Sequence, residues 1–167
     1  MKEALKYAGY LYEIGVDALI IQDVGLISLI RDVYPKFELH ASTQMTIHNG
    51  EGALYFREKG LQRIVLSREL SLDEIKYISK DLGIETEIFV HGALCISYSG
   101  QCLFSSLVGG RSGNRGKCAQ PCRLPYELLE DKNGTESVLD KGYLLSPRDL
   151  CSLDTLPTLV KLGINSF

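Results

Sequence analysis

Apolar positions in the first half of the chain alternate between two rhythms. In EALKYAGYLYEIG, from Glu3 to Gly15, they recur at helical spacing and stop at a glycine, and DALIIQD then forms a short apolar run closed by Asp23. The pattern repeats downstream. LISLIRDVY predicts a helix and FELHASTQMT a strand, NGEGALYFREKG a helix stopping at Gly60, RIVLS a strand, SLDEIKYISKDLG a helix and TEIFVHG a strand. Ser71 is placed to cap that last helix, with Glu74 positioned to complete a capping box. Short, mostly apolar strands separated by single helices predict a parallel sheet covered by helices.

From Ala93 to about Gly142 the rhythm breaks. This stretch holds the densest run of glycine, the cysteines Cys95, Cys102, Cys118 and Cys122, and LPYELLEDKNGTESVLD, which predicts a hairpin turning at Asn133 and Gly134. Afterwards GYLLSPRDL reads as strand and turn, SLDTLPTLVKLG as helix and INSF as the opening of a strand. The expected fold class is α/β, a partial TIM-like (β/α) barrel of about five β/α units where a closed barrel has eight. It is expected to be one domain over residues 1–167, with a Cys/Gly-rich insertion at about 93–142 after the fourth strand. Both ends read as truncated, because the chain opens in a helix that precedes a strand and stops within a strand. An open doubly wound sheet is the alternative. The barrel is preferred because polar residues recur at expected strand C-termini: Asp23, His40, Ser42, Gln44, Arg68, Glu69 and His91. In either fold that edge is where sites are built.

A chain of 167 residues suffices for a sizeable core, and a formal net charge of -3 gives no global pull toward nucleic acid. An RNA partner would need a local patch, and GGRSGNRGKCAQPCR offers one in Arg111, Arg115, Lys117 and Arg123. On charge alone, a solvated loop fits that segment as well as a phosphate-binding one. No apolar run is long enough for a bilayer, and MKEALKYAGYLYEIGVDALI lacks the pattern of a signal peptide, so a cytoplasmic protein with no membrane partner is expected. Five cysteines cannot all close into internal disulfides. In a cytosolic chain they read as free thiols, metal ligands or catalytic groups.

ISYSGQ separates Cys95 from Cys102, with Gly100 allowing a tight turn, and AQP separates Cys118 from Cys122. Four thiolates on two flexible loops at one end of a sheet can converge on a tetrahedral site. Zinc more often uses a closer knuckle, so an iron–sulfur cluster fits these spacings better and zinc is the alternative. Buried apolar thiols are the plainer reading; SYSGQ and GNRGK are poor core sequences and argue against it. Cys151, after PRDL at an expected helix start, reads as an ordinary buried thiol. His91 and Cys95 could form a thiol–imidazole pair, but no third orienting residue is visible and a strand-end histidine making a hydrogen bond is the better reading. His40, Ser42 and Gln44 alternate along one expected strand and would face one side. Polar groups are costly in a packed interior, which makes these three, with Asp23 and Glu69, candidate substrate ligands. Glu87 is expected at the start of its strand, in a structural role.

These residues resemble the U32 peptidase family, also called the collagenase-like family. Its signature is matched by Glu87, Phe89, Gly92, Ala93, Leu94, Cys95, Gly100, Cys102 and Ser105, with Phe104 at a position that is usually aliphatic. The likeness extends to HASTQ, to LSRELSLDEI and to NRGKCAQPCR followed by Tyr126. The family's name implies proteolysis of a peptide substrate. Other members imply hydroxylation of a tRNA uridine, of an rRNA cytidine or of the quinone ring without oxygen, and the quinone members bind a four-iron cluster through four cysteines. Carried onto this chain, the resemblance implies a 4Fe-4S cluster on Cys95, Cys102, Cys118 and Cys122. His91, His40, Gln44, Arg68 and Glu69 are then the expected catalytic and substrate-binding residues. A peptidase would need a nucleophile–base pair or a metal-bound water, and the chain has no HExxH, no GxSxG and no convincing triad. Oxygen-independent hydroxylation of a base in tRNA or rRNA is therefore the favoured expectation. Collagenase-like proteolysis and a non-catalytic, zinc-braced RNA-binding fragment are the alternatives.

Overall fold

The computed structural model describes residues 1–132, 135–164 and 166–167. The expected turn at Asn133 and Gly134 lies outside the described residues. The chain forms two compact units, Met1–Val90 with Ser152–Phe167, and His91–Cys151. The expected insertion falls within the second.

The first unit follows the alternating pattern. Its elements are α1 (Lys2–Glu13), β1 (Ala18–Ile21), α2 (Val24–Val33), β2 (Glu38–Ala41), α3 (Gly50–Glu58), β3 (Arg63–Val65), α4 (Leu72–Lys76) and β4 (Glu85–Glu87), with a last helix over Leu156–Lys161. The helices begin where side chains satisfy otherwise orphaned amides. The Asp23 carboxylate accepts from the Leu26 amide at 2.7 Å, and the Asn49 side chain accepts from the Gly52 amide at 2.7 Å. Ser71 and Glu74 form the expected capping box, the Ser71 amide donating to Glu74 Oε2 at 2.7 Å. The helix predicted through Gly83 leaves α-geometry after Lys76, where a π-turn over Tyr77–Asp81 follows. There Ser79 Oγ meets Thr86 Oγ1 of β4 at 2.7 Å, so the turn serves a buried strand hydroxyl.

The strands form a parallel sheet in the order β1-β2-β3-β4, with β1 at one edge. Register divides its residues between two faces. Leu19, Leu39, Ala41, Ile64 and Thr86 share one, and its apolar members join Ala8, Ile27, Ile30, Ala53, Ile75 and Ile78 of the helices in one core. Ile20, His40, Arg63 and Glu85 are register neighbours on the other, with Glu38, Val65 and Glu87 one step along. Ile20 is 58% exposed. Arg63 binds Glu85 at 2.5 and 2.8 Å and lies 3.6 Å from Glu87, whose carboxylate accepts from Ser166 Oγ at 2.8 Å. The expected final strand appears as a single parallel bridge between Glu87 and Ser166.

Three expectations are corrected here. The strand containing His40 ends at Ala41, because Ser42 Oγ accepts from the Gln44 amide at 3.2 Å and starts a 3-10 turn over Thr43–Met45. His40, Ser42 and Gln44 therefore do not alternate along one strand. Glu87 is the last residue of β4, not the first. Cys151 is an exposed strand residue, because the segment after Pro147 extends into β8 (Asp149–Cys151) before any helix begins.

In the second unit β5 (His91–Ala93) pairs antiparallel with β8, placing His91 opposite Cys151 and Ala93 opposite Asp149. Between them lie a short helix, α5 (Phe104–Gly109), and a two-stranded antiparallel pair, β6 (Tyr126–Lys132) with β7 (Thr135–Gly142). No helix among the described residues is long and apolar enough to cross a membrane.

Candidate functional site

All five cysteines are free thiols, and Cys95, Cys102, Cys118 and Cys122 belong to the second unit. Cys95 follows β5 and Cys102 precedes α5, with Gly100 between them at φ 84° supplying a left-handed turn. Cys118 and Cys122 flank Gln120, which holds φ 54°, a strained value for a side chain with a Cβ. The strain has a visible return, since in this conformation the Gln120 amide donates to Cys118 Sγ at 3.4 Å.

The Cys122 thiol is pushed up, first by burial and then by the neighbouring Cys95, with smaller contributions from Cys118 and Cys102, while the Arg123 charge opposes them. Cys95, Cys102 and Cys118 thus each lie close enough to Cys122 to act on it. Among the described residues no group of three or more His, Cys, Asp or Glu side chains is placed to hold a metal ion. A single tetrahedral zinc would need sulfurs about 3.8 Å apart, given Zn–S bonds of about 2.3 Å. The donor set of four free thiols fits soft-metal chemistry, zinc or an iron–sulfur core.

The loop itself is braced by its polar residues. Arg123 pairs with Asp149 at 2.9 Å and donates to the Leu94 carbonyl at 3.2 Å, and Arg111 Nε donates to the Lys117 carbonyl at 3.0 Å. Of the four cations expected to meet RNA, these two also shape the loop. Arg115 and Lys117 have exposed side chains. The Tyr126 hydroxyl donates to the Pro121 carbonyl at 2.9 Å, tying the Cys122 turn to β6.

The other candidates divide between the units. His40 is buried, its Nε2 facing Glu38 Oε1 at 2.8 Å. Gln44 is half-buried in its 3-10 turn, and Asp23 is occupied as the cap of α2. Arg68 lies 4.0 Å over the Phe89 ring, a cation–π contact, and Glu69 is exposed. His91 is exposed, and its register partner is Cys151. Sequence reasoning missed Ser105, Asp149 and Ser67. Ser105 and Asp149 anchor the cysteine loops, and Ser105 stands in the matched signature. The Ser67 hydroxyl, just past β3, is buried with no hydrogen-bond partner among the described residues. No local pattern marks it.

A parallel α/β sheet with a separate four-cysteine unit defines the class of protein, and the comparisons give the family. The model of peptidase family U32 matches residues 1–167, and the chain belongs to this family. It is 46% identical over 157 residues, 94% of the chain, to the 23S rRNA 5-hydroxycytidine C2501 synthase of Escherichia coli (strain K12), covering 23% of that protein. It is 37% identical over 164 residues, 96% of the chain, to tRNA hydroxylation protein P1 of Bacillus subtilis (strain 168), covering 39% of it. It is also 32% identical over 163 residues, 91% of the chain, to a protein named collagenase from Porphyromonas gingivalis (strain ATCC BAA-308 / W83), covering 39% of it. The chain thus spans well under half the length of these relatives. No solved structure matches significantly.

Proposed function

We propose that this chain contributes to an enzyme that hydroxylates a base in tRNA or rRNA without molecular oxygen, with a 4Fe-4S cluster held by Cys95, Cys102, Cys118 and Cys122. The observation that carries the reading is four free thiols on two loops of one unit, with hydrogen bonds from the Ala119 amide to Ser105 Oγ and from Arg123 to the Leu94 carbonyl tying those loops together. The spacings of the two cysteine pairs, wider than the close knuckle common at zinc sites, suit a cluster better than zinc. When bound, it would supply electron transfer. RNA as substrate is supported by the names of the Escherichia coli and Bacillus subtilis relatives. Arg115 and Lys117 would meet phosphate, while Arg111 and Arg123 keep the loop in shape. In the first unit His40, with Glu38 on its Nε2, Gln44, Arg68 and Glu69 would bind and orient the base. The parallel sheet would be an arc of a (β/α) barrel, with this work at the C-terminal ends of its strands.

The test is iron, sulfide and zinc content with an absorption spectrum, on protein purified without oxygen, beside Cys95→Ser and Cys118→Ser. Iron and sulfide in stoichiometric amounts, lost in both variants, are expected. Zinc alone, or no metal, overturns the cluster. A peptidase remains the second reading, favoured by the relative named collagenase and by His91 facing Cys151 across β5 and β8. It requires hydrolysis of denatured collagen that His91→Ala abolishes.

A further inference from the structure

Two polar side chains outside the cysteine set each connect one cysteine loop to the other. Arg123 directly follows Cys122. Its Nη2 donates at 3.2 Å to the carbonyl of Leu94, the residue before Cys95, and its Nη1 pairs at 2.9 Å with Asp149 of β8. Asp149 is in turn the register partner of Ala93 on β5. One guanidinium therefore joins the turn that carries Cys122 to the strand that delivers Cys95. This uses the planar fork of arginine, since a lysine ammonium is a point donor that would have to choose between acceptors. Asp149 is well exposed, so solvent screens that ion pair and the part-buried carbonyl contact matters more.

Ser105 does the same for the other two cysteines. It is 3% exposed and lies in α5, just after Cys102, and its Oγ accepts from the amide of Ala119, the residue after Cys118, at 3.0 Å. The Arg111 amide returns to the Ser105 carbonyl at 3.1 Å, closing the loop back onto α5. A Cβ added at Gly113 would lie 3.8 Å from the Cβ of Cys118 and 3.9 Å from the carbonyl of Cys102, so the two cysteine segments meet there.

We propose that Arg123 and Ser105 are positioning residues that fasten the two cysteine loops crosswise, Arg123 bringing Cys122 to Cys95 and Ser105 bringing Cys118 to Cys102. The two cysteine loops are then held together before anything binds the thiols. Without these contacts, glycine-rich loops would have to be ordered at the moment of binding, at the entropic cost of fixing each backbone. The inference rests on the reading that the four cysteines form one site, but its test needs no metal, so the two stand or fall separately.

The full chain is prepared with one pair at a time, Cys95 and Cys122 retained in Cys102→Ser/Cys118→Ser, and Cys102 and Cys118 retained in Cys95→Ser/Cys122→Ser; Cys151→Ser is added to both. Each reacts with a short flexible bismaleimide, and mass spectrometry gives the ratio of internal cross-link to double mono-addition. Arg123→Ala should lower that ratio for Cys95 and Cys122 by about tenfold or more, and leave Cys102 and Cys118 within about twofold. Ser105→Ala should do the reverse. Arg123→Lys, which keeps the charge and loses the fork, should behave like the alanine variant. Equal loss in both pairs, which general unfolding would also give, overturns the proposal, as does no loss in either or full closure with lysine. The metal analysis decides the cluster independently of these outcomes.

Discussion

Replacing Arg63 by methionine asks which of its two carboxylates holds β3 to β4. Distance favours Glu85, bound at 2.5 and 2.8 Å, over Glu87 at 3.6 Å. The pKa of Arg63 agrees with distance, being raised first by its hydrogen bond to Glu85 and only later by the charge of Glu87. Burial reverses the order. The Glu85 side chain is 47% exposed, and an exposed pair contributes about 0.2–1 kcal/mol once screening and lost side-chain freedom are counted. Arg63 and Glu87 are each only 26% exposed. Two charges about 4 Å apart attract by about 4 kcal/mol at an effective dielectric near 20, and desolvation removes more than half of that. Losing Arg63 also takes from the part-buried Glu87 carboxylate its ion-pair partner and leaves it the Ser166 hydroxyl as donor. We expect Arg63→Met to cost about 2–3 kcal/mol in urea denaturation followed by circular dichroism. Double-mutant cycles with Glu87→Gln and Glu85→Gln should give a coupling of about 1–2 kcal/mol for Glu87 and under about 1 kcal/mol for Glu85. A larger coupling to Glu85 would refute the reasoning and make distance the better guide on this face.

Two further outcomes follow from groups already described. Glu74 is held below the usual carboxylate range, first by the Ser71 amide and then by the Ser71 hydroxyl. A depressed carboxylate stabilises the fold above its unfolded pKa of about 4.3 and loses that contribution as pH falls through its folded value. Glu74→Gln should therefore lower the Tm at pH 7 and match the parent at about pH 3; a gap that persists in acid shows a role other than charge. Arg115→Ala and Lys117→Ala should each weaken binding of a short single-stranded RNA and reduce the salt slope by about one, read by fluorescence anisotropy at several ionic strengths. Unchanged slopes would make this a solvated loop.

The helices of the first unit were legible because their apolar spacing coincides with real burial, as at Ile27 and Ile30 of α2, and because Ser71 caps α4 by chemistry visible in sequence; Asp23, read as a candidate substrate ligand, and Asn49 cap α2 and α3 as well. Helix α5 was not. Its Leu107 and Val108 are 81% and 66% exposed, so no buried face imposes a period on that segment. The strand expected through Gln44 failed on one competing hydrogen bond, since Ser42 can satisfy the Gln44 amide locally and a pattern of alternation cannot register that. In the candidate site, cysteine spacing pointed to four thiols but not to the hydrogen bonds that join their loops. Asp149 lies 26 positions beyond its partner Arg123 in the chain numbering and meets it only through the pairing of β5 with β8. Arg123 itself was legible as a cation, and its ties to Leu94 and Asp149 are what sequence left out.

The position of β1 affects how this chain behaves in concentrated solution. Ala18–Ile21 borders the sheet, with β2 as its neighbour on one side and no strand on the other among the described residues, and Ile20 stands exposed on its face. A short, apolar rim with unspent amides and carbonyls, and neither proline nor lysine to blunt it, is a template for a second chain. Unless another segment covers that rim, molecules will tend to join rim to rim. Precipitation on concentrating would then come from a folded surface, and a lysine at position 20 would be a more fitting remedy than a gentler refolding protocol.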